Sequence, residues 1–337
     1  MIYLKNDYSL GAHPQIMQAL SDTNMIHTTG YGEDPFCEEA RRLLKKQLAA
    51  DEADIHFLMG GTQTNLTAMA AFLRPHHAII AADSAHICVH ETGAIEATGH
   101  KVIACPSPDG KLLPQQIEDA VLVHKDEHMV KPKLVYISNT TEVGTVYDRD
   151  ELQALRSVCD KYGLYLYLDG ARLGCALTAP DIQLTLADLA RLTDAFYIGG
   201  TKNGVLFGEA LAILNPELKE DFRYHIKQRG GMMAKGRLLG IQFRELFKDG
   251  LYFDLARHAN EMAQILKNGI IGGGYEFFVD SPTNQIFPIL PNMVADHLRE
   301  LVSFEDWQPY GDRATVIRLV TSWGTTEDEI MEFLRHL

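Results

Sequence analysis

Two short stretches carry residues whose types and spacing could do chemistry. One is Phe196-Tyr197-Ile198-Gly199-Gly200-Thr201-Lys202-Asn203-Gly204. An apolar run of strand character ends there in two glycines, a hydroxyl residue and a lysine. A charged lysine is strongly hydrated, so a partly desolvated place at a strand end lowers its pKa and favours the free amine. A free amine can form a Schiff base with an aldehyde. A surface lysine in a Gly-rich turn would read the same in this window alone. Upstream lies Leu164-Tyr165-Leu166-Tyr167-Leu168-Asp169-Gly170-Ala171-Arg172. Its continuous apolar run reads as a strand buried on both faces, as in a parallel sheet. Asp169 then falls at the carboxyl end of that strand, where open α/β sheets bind ligands. A carboxylate there can hold a pyridinium nitrogen protonated. Arg172 can present a planar fork to a carboxylate. An Asp N-cap beside an ordinary ion pair is the plainer alternative.

Read together, the Asp-Gly-Ala-Arg and Thr-Lys stretches point to pyridoxal phosphate chemistry, and other segments supply parts for it. A short strand from Ile55 to Met59 runs into Gly60-Gly61-Thr62-Gln63-Thr64-Asn65, with helical sequence from Leu66 to Leu73. Strand, glycine turn and helix start make an anion site, because free N–H groups at a helix N-terminus face the anion. A capped helix after a tight turn fits the same residues. His86 follows the strand at Ala78 to Ala81 and can stack its ring on a flat cofactor or cap the next helix. Asn139-Thr140-Thr141-Glu142 puts polar groups past the strand from Lys133 to Ser138. The Gly-rich segment Lys227 to Arg237 carries four cations, among them Arg229, which suggests a local anion partner such as a cofactor phosphate. Arg318 lies inside the apolar run Thr315 to Thr321, where an unpaired charge is costly, so it reads as aimed at a carboxylate.

Strands and helices must alternate to position these groups, which predicts an α/β fold with further helices at Pro14–Leu20, 36–49, 114–123, 149–162 and 187–192. One long helical stretch, 238–267, bridges to a smaller α+β region over 270–337. The chain has 337 residues, 46% hydrophobic, enough for a large core. A net charge of −14 argues against nucleic acid or an anionic membrane as partner. Five cysteines without a C-x-x-C pair read as reduced thiols of a cytosolic protein. No charged-then-apolar leader opens the chain, and no apolar run is long enough to span a membrane. The fourteen histidines fall in no zinc-binding spacing, so no metal is expected.

These residues, in this order, resemble the threonine aldolase and β-eliminating lyase family of pyridoxal phosphate enzymes, from the Asn6-Asp7 segment to the Arg318 strand. The resemblance implies an aspartate aminotransferase-like fold. Its large domain, 1–240, carries a mostly parallel seven-stranded sheet, and 241–337 form a small α+β domain. It implies Lys202 as the Schiff-base lysine after Thr201, Asp169 on the pyridine nitrogen and His86 on the ring. Gly61 and Thr62 would cradle the phosphate, with Lys227 or Arg229 helping. Arg172 and Arg318 would hold the substrate carboxylate, with Asn6 where the family usually has serine. Tyr31 is similar to the tyrosine that reaches a neighbouring subunit's site, which implies a cytoplasmic dimer or homotetramer. Departures stand beside these matches. Thr141, followed by Glu142, occupies the place of a histidine thought to touch the substrate hydroxyl, and Met233 that of a phosphate arginine, which Lys235 or Arg237 could replace. The implied reaction is retro-aldol cleavage of L-threonine or L-allo-threonine to glycine and an aldehyde, with His86 or a water held by Glu142 as base. β-Elimination to a keto acid and ammonia is the alternative.

Overall fold

The computed structural model describes residues 1–337. A seven-stranded sheet forms its centre, in the order Asp54–Leu58, Glu209–Ile213, Ala195–Gly199, Tyr165–Asp169, Lys131–Ser138, His77–Ala82 and Lys101–Cys105. Glu209–Ile213 runs antiparallel to both neighbours, and every other pairing is parallel. Ala195–Gly199 and Glu209–Ile213 are buried along their whole length. Helices cover the sheet, so its inner strands are apolar on both faces rather than alternating. The helix Pro35–Leu48 shows how the sequence directs this. Asp34 accepts from the Cys37 N–H at 2.9 Å as N-cap, proline opens the first turn, and Cys37, Ala40, Leu44 and Leu48 are buried.

A second, five-stranded antiparallel sheet is built from Glu276–Phe277, Gln285–Ile286, Pro288–Pro291, Glu305–Tyr310 and Ala314–Val320. It has its own core, which includes Leu266, Leu290, Leu319 and Phe333. The chain's first strand, Ile2–Tyr3, pairs with Val302–Ser303, so the N-terminal arm crosses to this region before entering the large sheet.

Two helices depart from the sequence expectation. The helix expected from Leu66 begins at Gly61 and runs to Phe72. Its first turns are polar yet buried: the Thr64 hydroxyl donates to the Gly60 carbonyl at 2.9 Å, and Asn65 is fully buried in hydrogen bonds. An apolar periodicity cannot register such turns. The single stretch 238–267 is two helices, Arg237–Lys248 and Leu251–Gly272. They are separated at Gly250, whose φ of 82° is open to glycine and costly to residues with a Cβ. No helix is long and apolar enough to cross a membrane.

Candidate active site

The strands ending at Ser138, Asp169 and Gly199 contribute Ser138, Asp169 and Tyr197 to one cavity of about 250 Å³. Gly61, Thr62, His86, Thr141, Glu142, Asp169, Arg172, Thr201 and Lys202 all line it, so most of the residues singled out in the sequence converge there. Tyr8, Tyr197 and Glu209 line it too and had no role in the sequence reading.

Lys202 follows a turn that is tied down on either side. The Gly200 N–H donates to Glu209 Oε2 and the Thr201 hydroxyl to Glu209 Oε1, each at 2.9 Å, and the Gly208 N–H donates to Thr201 Oγ1 at 3.0 Å. Burial and then the Arg172 guanidinium push the Lys202 ammonium below the usual lysine range. That favours the free amine, as its place at a strand end suggested.

Asp169 is buried and accepts four hydrogen bonds. Tyr197 Oη and the Ala171 N–H donate to Oδ1 at 2.5 and 3.0 Å; Tyr136 Oη and Asn65 Nδ2 donate to Oδ2 at 2.5 and 3.0 Å. Burial raises its pKa, but His86 and the hydrogen bonds outweigh burial and hold the carboxyl below the usual range. Gly170 matters beside it, because a Cβ there would stand 1.9 Å from the Tyr197 carbonyl oxygen.

Two other carboxyls lean the opposite way. Glu142 accepts from the His86 N–H at 2.9 Å and the Ser138 hydroxyl at 2.8 Å; burial, then Asp169, raise its pKa. Glu209 is pushed up to about 7, chiefly by burial. An acid whose folded pKa stands above its unfolded value near 4.5 leaves stability fully present below the unfolded value and lost as pH rises through about 7. Glu209→Gln removes that loss, so the variant should gain melting temperature over the parent at pH 8 but not at pH 4. Equal differences at both pH values would contradict the raised pKa.

The remaining expected residues lie as follows. Arg172 forks onto Asp7 of the N-terminal arm, Nε to Oδ2 at 2.7 Å and Nη2 to Oδ1 at 3.0 Å, and Asn284 also donates to Asp7 at 2.9 Å. Arg318 pairs with Glu305, sits 5.6 Å from the Trp307 ring, and is outside the cavity lining. The carboxylates that both arginines meet in the folded chain are thus its own. Asn6 turns its Oδ1 onto its own loop, accepting from the Tyr8 N–H at 3.1 Å and the Ser9 hydroxyl at 2.8 Å. Thr141 is buried and bonded to Thr145 Oγ1 at 2.7 Å. Lys227 does not line this cavity, its Nζ being 4.9 Å from the centroid of the Tyr31 ring, and Arg229 bonds Gln228 at 2.8 Å. Asp7, Asn65, Glu91, Tyr136, Tyr197 and Glu209 were missed. Glu209 alone carried a readable signal, as a charge opening an apolar strand.

The residues fit a flat, phosphorylated aldehyde. The helix Gly61–Phe72 starts with no side-chain cap, leaving its first N–H groups to a ligand. A Cβ at Gly61 would stand 2.9 Å from Tyr197 Oη and intrude on that end of the cavity. An ionised carboxylate, a deprotonation-prone amine and an imidazole share the same space.

Comparison with known proteins agrees. The model of the β-eliminating lyase family matches residues 7–288. The low specificity L-threonine aldolase of Pseudomonas aeruginosa is 32% identical over 99% of this chain and 96% of its own length. The structure of Leishmania major threonine aldolase is 52% identical, covers 99% of this chain and 98% of its own, and superposes with a TM-score of 0.98. An aspartate aminotransferase from Thermus thermophilus, 14% identical, covers this whole chain and 90% of its own with a TM-score of 0.74, a likeness of fold. With that fold, that match and a lysine and aspartate at the ends of adjacent strands, the chain belongs to the β-eliminating lyase family.

Proposed function

We propose that this chain is a pyridoxal phosphate-dependent lyase that cleaves β-hydroxy-α-amino acids, L-threonine or L-allo-threonine among them, to glycine and an aldehyde. The observation that carries the reading is the single cavity shared by Lys202, Asp169, His86 and the uncapped helix start at Gly61-Thr62. The threonine aldolases of Pseudomonas aeruginosa and Leishmania major support the substrate class. When bound, pyridoxal phosphate supplies an electron sink for the bond that breaks.

The chain's own residues do the rest. Lys202 is the amine that would hold the cofactor aldehyde, with Thr201 and Glu209 fixing the turn before it. Asp169 would hold the ring nitrogen as a carboxylate, and His86 would supply the flat ring beside the cofactor. Gly61 and Thr62 would hold the phosphate through N–H and hydroxyl donors. Arg172 offers the substrate carboxylate the N–H groups that Asp7 leaves free. Arg318, on the neighbouring antiparallel sheet, adds charge from that side. Burial and Asp169 raise the pKa of Glu142, which accepts from the His86 backbone N–H and the Ser138 hydroxyl beside the same space.

Tyr31 has a positive φ of 61° and is 47% exposed, an uncommon backbone state for a residue with a Cβ. Tyr224 and Met25 are exposed as well. We assign this face, with Lys227, to a second copy of the chain, so that Tyr31 reaches the partner's site in a dimer or a dimer of dimers. Lys227 and Arg229, neither of which lines the cavity of its own subunit, would act across the same contact.

The test is release of acetaldehyde from L-threonine by the cofactor-loaded protein, followed by coupled NADH oxidation, with glycine counted in parallel. Equal amounts of the two products are expected. Loss of threonine without aldehyde would overturn the aldolase reading.

A further inference from the structure

Behind the cavity wall lies a hydrogen-bonded chain that joins two of its lining side chains, His86 and Asp169. His86 Nδ1 is 2.9 Å from Glu91 Oε1. Asn65 Nδ2 donates to the same Oε1 at 2.8 Å and to Asp169 Oδ2 at 3.0 Å. Tyr167 Oη donates to Asn65 Oδ1 at 3.1 Å, which fixes the orientation of the amide. Glu91 and Asn65 are buried and neither lines the cavity. Glu91 Oε2 is buried with no partner, so both of this carboxylate's hydrogen bonds converge on one oxygen.

A buried carboxylate is retained only where a cation or strong donors stabilise it. The Asn65 amide is neutral and is shared with Asp169. The one basic side chain in contact with Glu91 is the His86 imidazole, at 2.9 Å. With Nδ1–H directed to Glu91, the lone pair of His86 is on Nε2, and Nε2 belongs to a ring that lines the cavity. Such a carboxylate–imidazole pair fixes the tautomer and stabilises the imidazolium once a proton has been taken up.

We propose that Glu91, held by Asn65, is the positioning residue that makes His86 the base for the substrate β-hydroxyl. This rests on the proposed function above. The hydroxyl O–H bond breaks and an Nε2–H bond forms. The O–H electron pair becomes the second bond of the aldehyde carbonyl, and the Cα–Cβ pair leaves with the glycine fragment, which then takes up a proton at Cα. The role left open by Thr141, whose hydroxyl is tied to Thr145, thereby falls to His86.

Glu91→Gln keeps the shape and an acceptor but removes the charge. It is expected to lower kcat for L-threonine about a hundredfold, within the usual range for a lost general base, with little change in KM or in the visible absorbance of the bound cofactor. The acid limb of the kcat profile should move to lower pH, because imidazolium loses its counter-charge. The other groups facing His86 stay in place in the variant: Glu142 on its backbone N–H, His90 with its ring 5.5 Å away, and Asp169 across the cavity. Selective ¹⁵N-histidine spectra of the cofactor-loaded protein, with His86→Asn as the assignment control, should report Nδ1–H for His86 in the parent. Glu91→Asp should recover part of kcat. If Glu91→Gln does not fold, the parent spectrum still decides, since Nε2–H on His86 would overturn the proposal. So would a folded Glu91→Gln with parental kcat and pH limb. Failure of the parent itself to release glycine and aldehyde would instead sink the functional reading on which this rests.

Discussion

Replacing Lys202 by alanine is expected to abolish turnover of L-threonine, by at least about a thousandfold, or ~4 kcal/mol of barrier. The fold should survive. The Lys202 ammonium is held below its usual range by burial and Arg172, so the parent spends stability keeping it in the cavity. The variant should melt at the parental temperature or above. Cofactor should still bind, more weakly, through the helix start at Gly61, Asp169 and His86. The checks are steady-state rates, a melting curve and an absorbance titration with pyridoxal phosphate. Activity within tenfold of the parent would remove Lys202 from its role.

Asp169→Asn is expected to have the next largest effect, a loss of about a thousandfold in kcat/KM with cofactor still bound. A neutral amide cannot hold a pyridinium, so the electron sink weakens even when the ring is seated. Four donors converge on the two Asp169 oxygens, and an asparagine NH₂ would meet two of them. One or two hydrogen bonds would be left unmade in a buried place, at about 1–3 kcal/mol each, so the melting temperature should fall as well. Tyr136→Phe, which removes one donor and leaves the carboxylate, separates the two effects. It should cost stability with a far smaller change in kcat/KM. Equal catalytic losses in the two variants would mean that the hydrogen-bond network, rather than the charge, is what matters.

Much of this site was legible in the chain because several cavity-lining groups sit at or just past the ends of buried strands, and such strands announce themselves as short apolar runs closed by glycine. Asp169 and Lys202 were found that way, and the glycine turn at Gly60-Gly61 likewise. What escaped were residues whose meaning is set by a partner distant in sequence. Asn65 reads as one more polar residue in a turn; its role comes from Asp169 and Glu91, which only the folded sheet brings beside it. Tyr136 and Tyr197 read as strand filler, since apolar periodicity does not show where a phenol hydroxyl points. Asp7 belonged to a segment that looked irregular, yet it takes the Arg172 fork. Arg318 was read as aimed at a carboxylate, and the one it meets is Glu305 on the adjacent strand. A lone arginine in an apolar run tells that a partner exists without telling which. Helix boundaries failed where burial is polar, at Gly61–Asn65, and where one glycine with positive φ breaks an unbroken helical pattern, at Gly250.

The most direct test of the central claim is to locate the lysine that carries the cofactor. The protein is loaded with pyridoxal phosphate, reduced with borohydride, digested, and the modified peptide sequenced by mass spectrometry. A single modification on Lys202 is the predicted result. Modification spread over surface lysines such as Lys227, or absent from Lys202, would contradict the account.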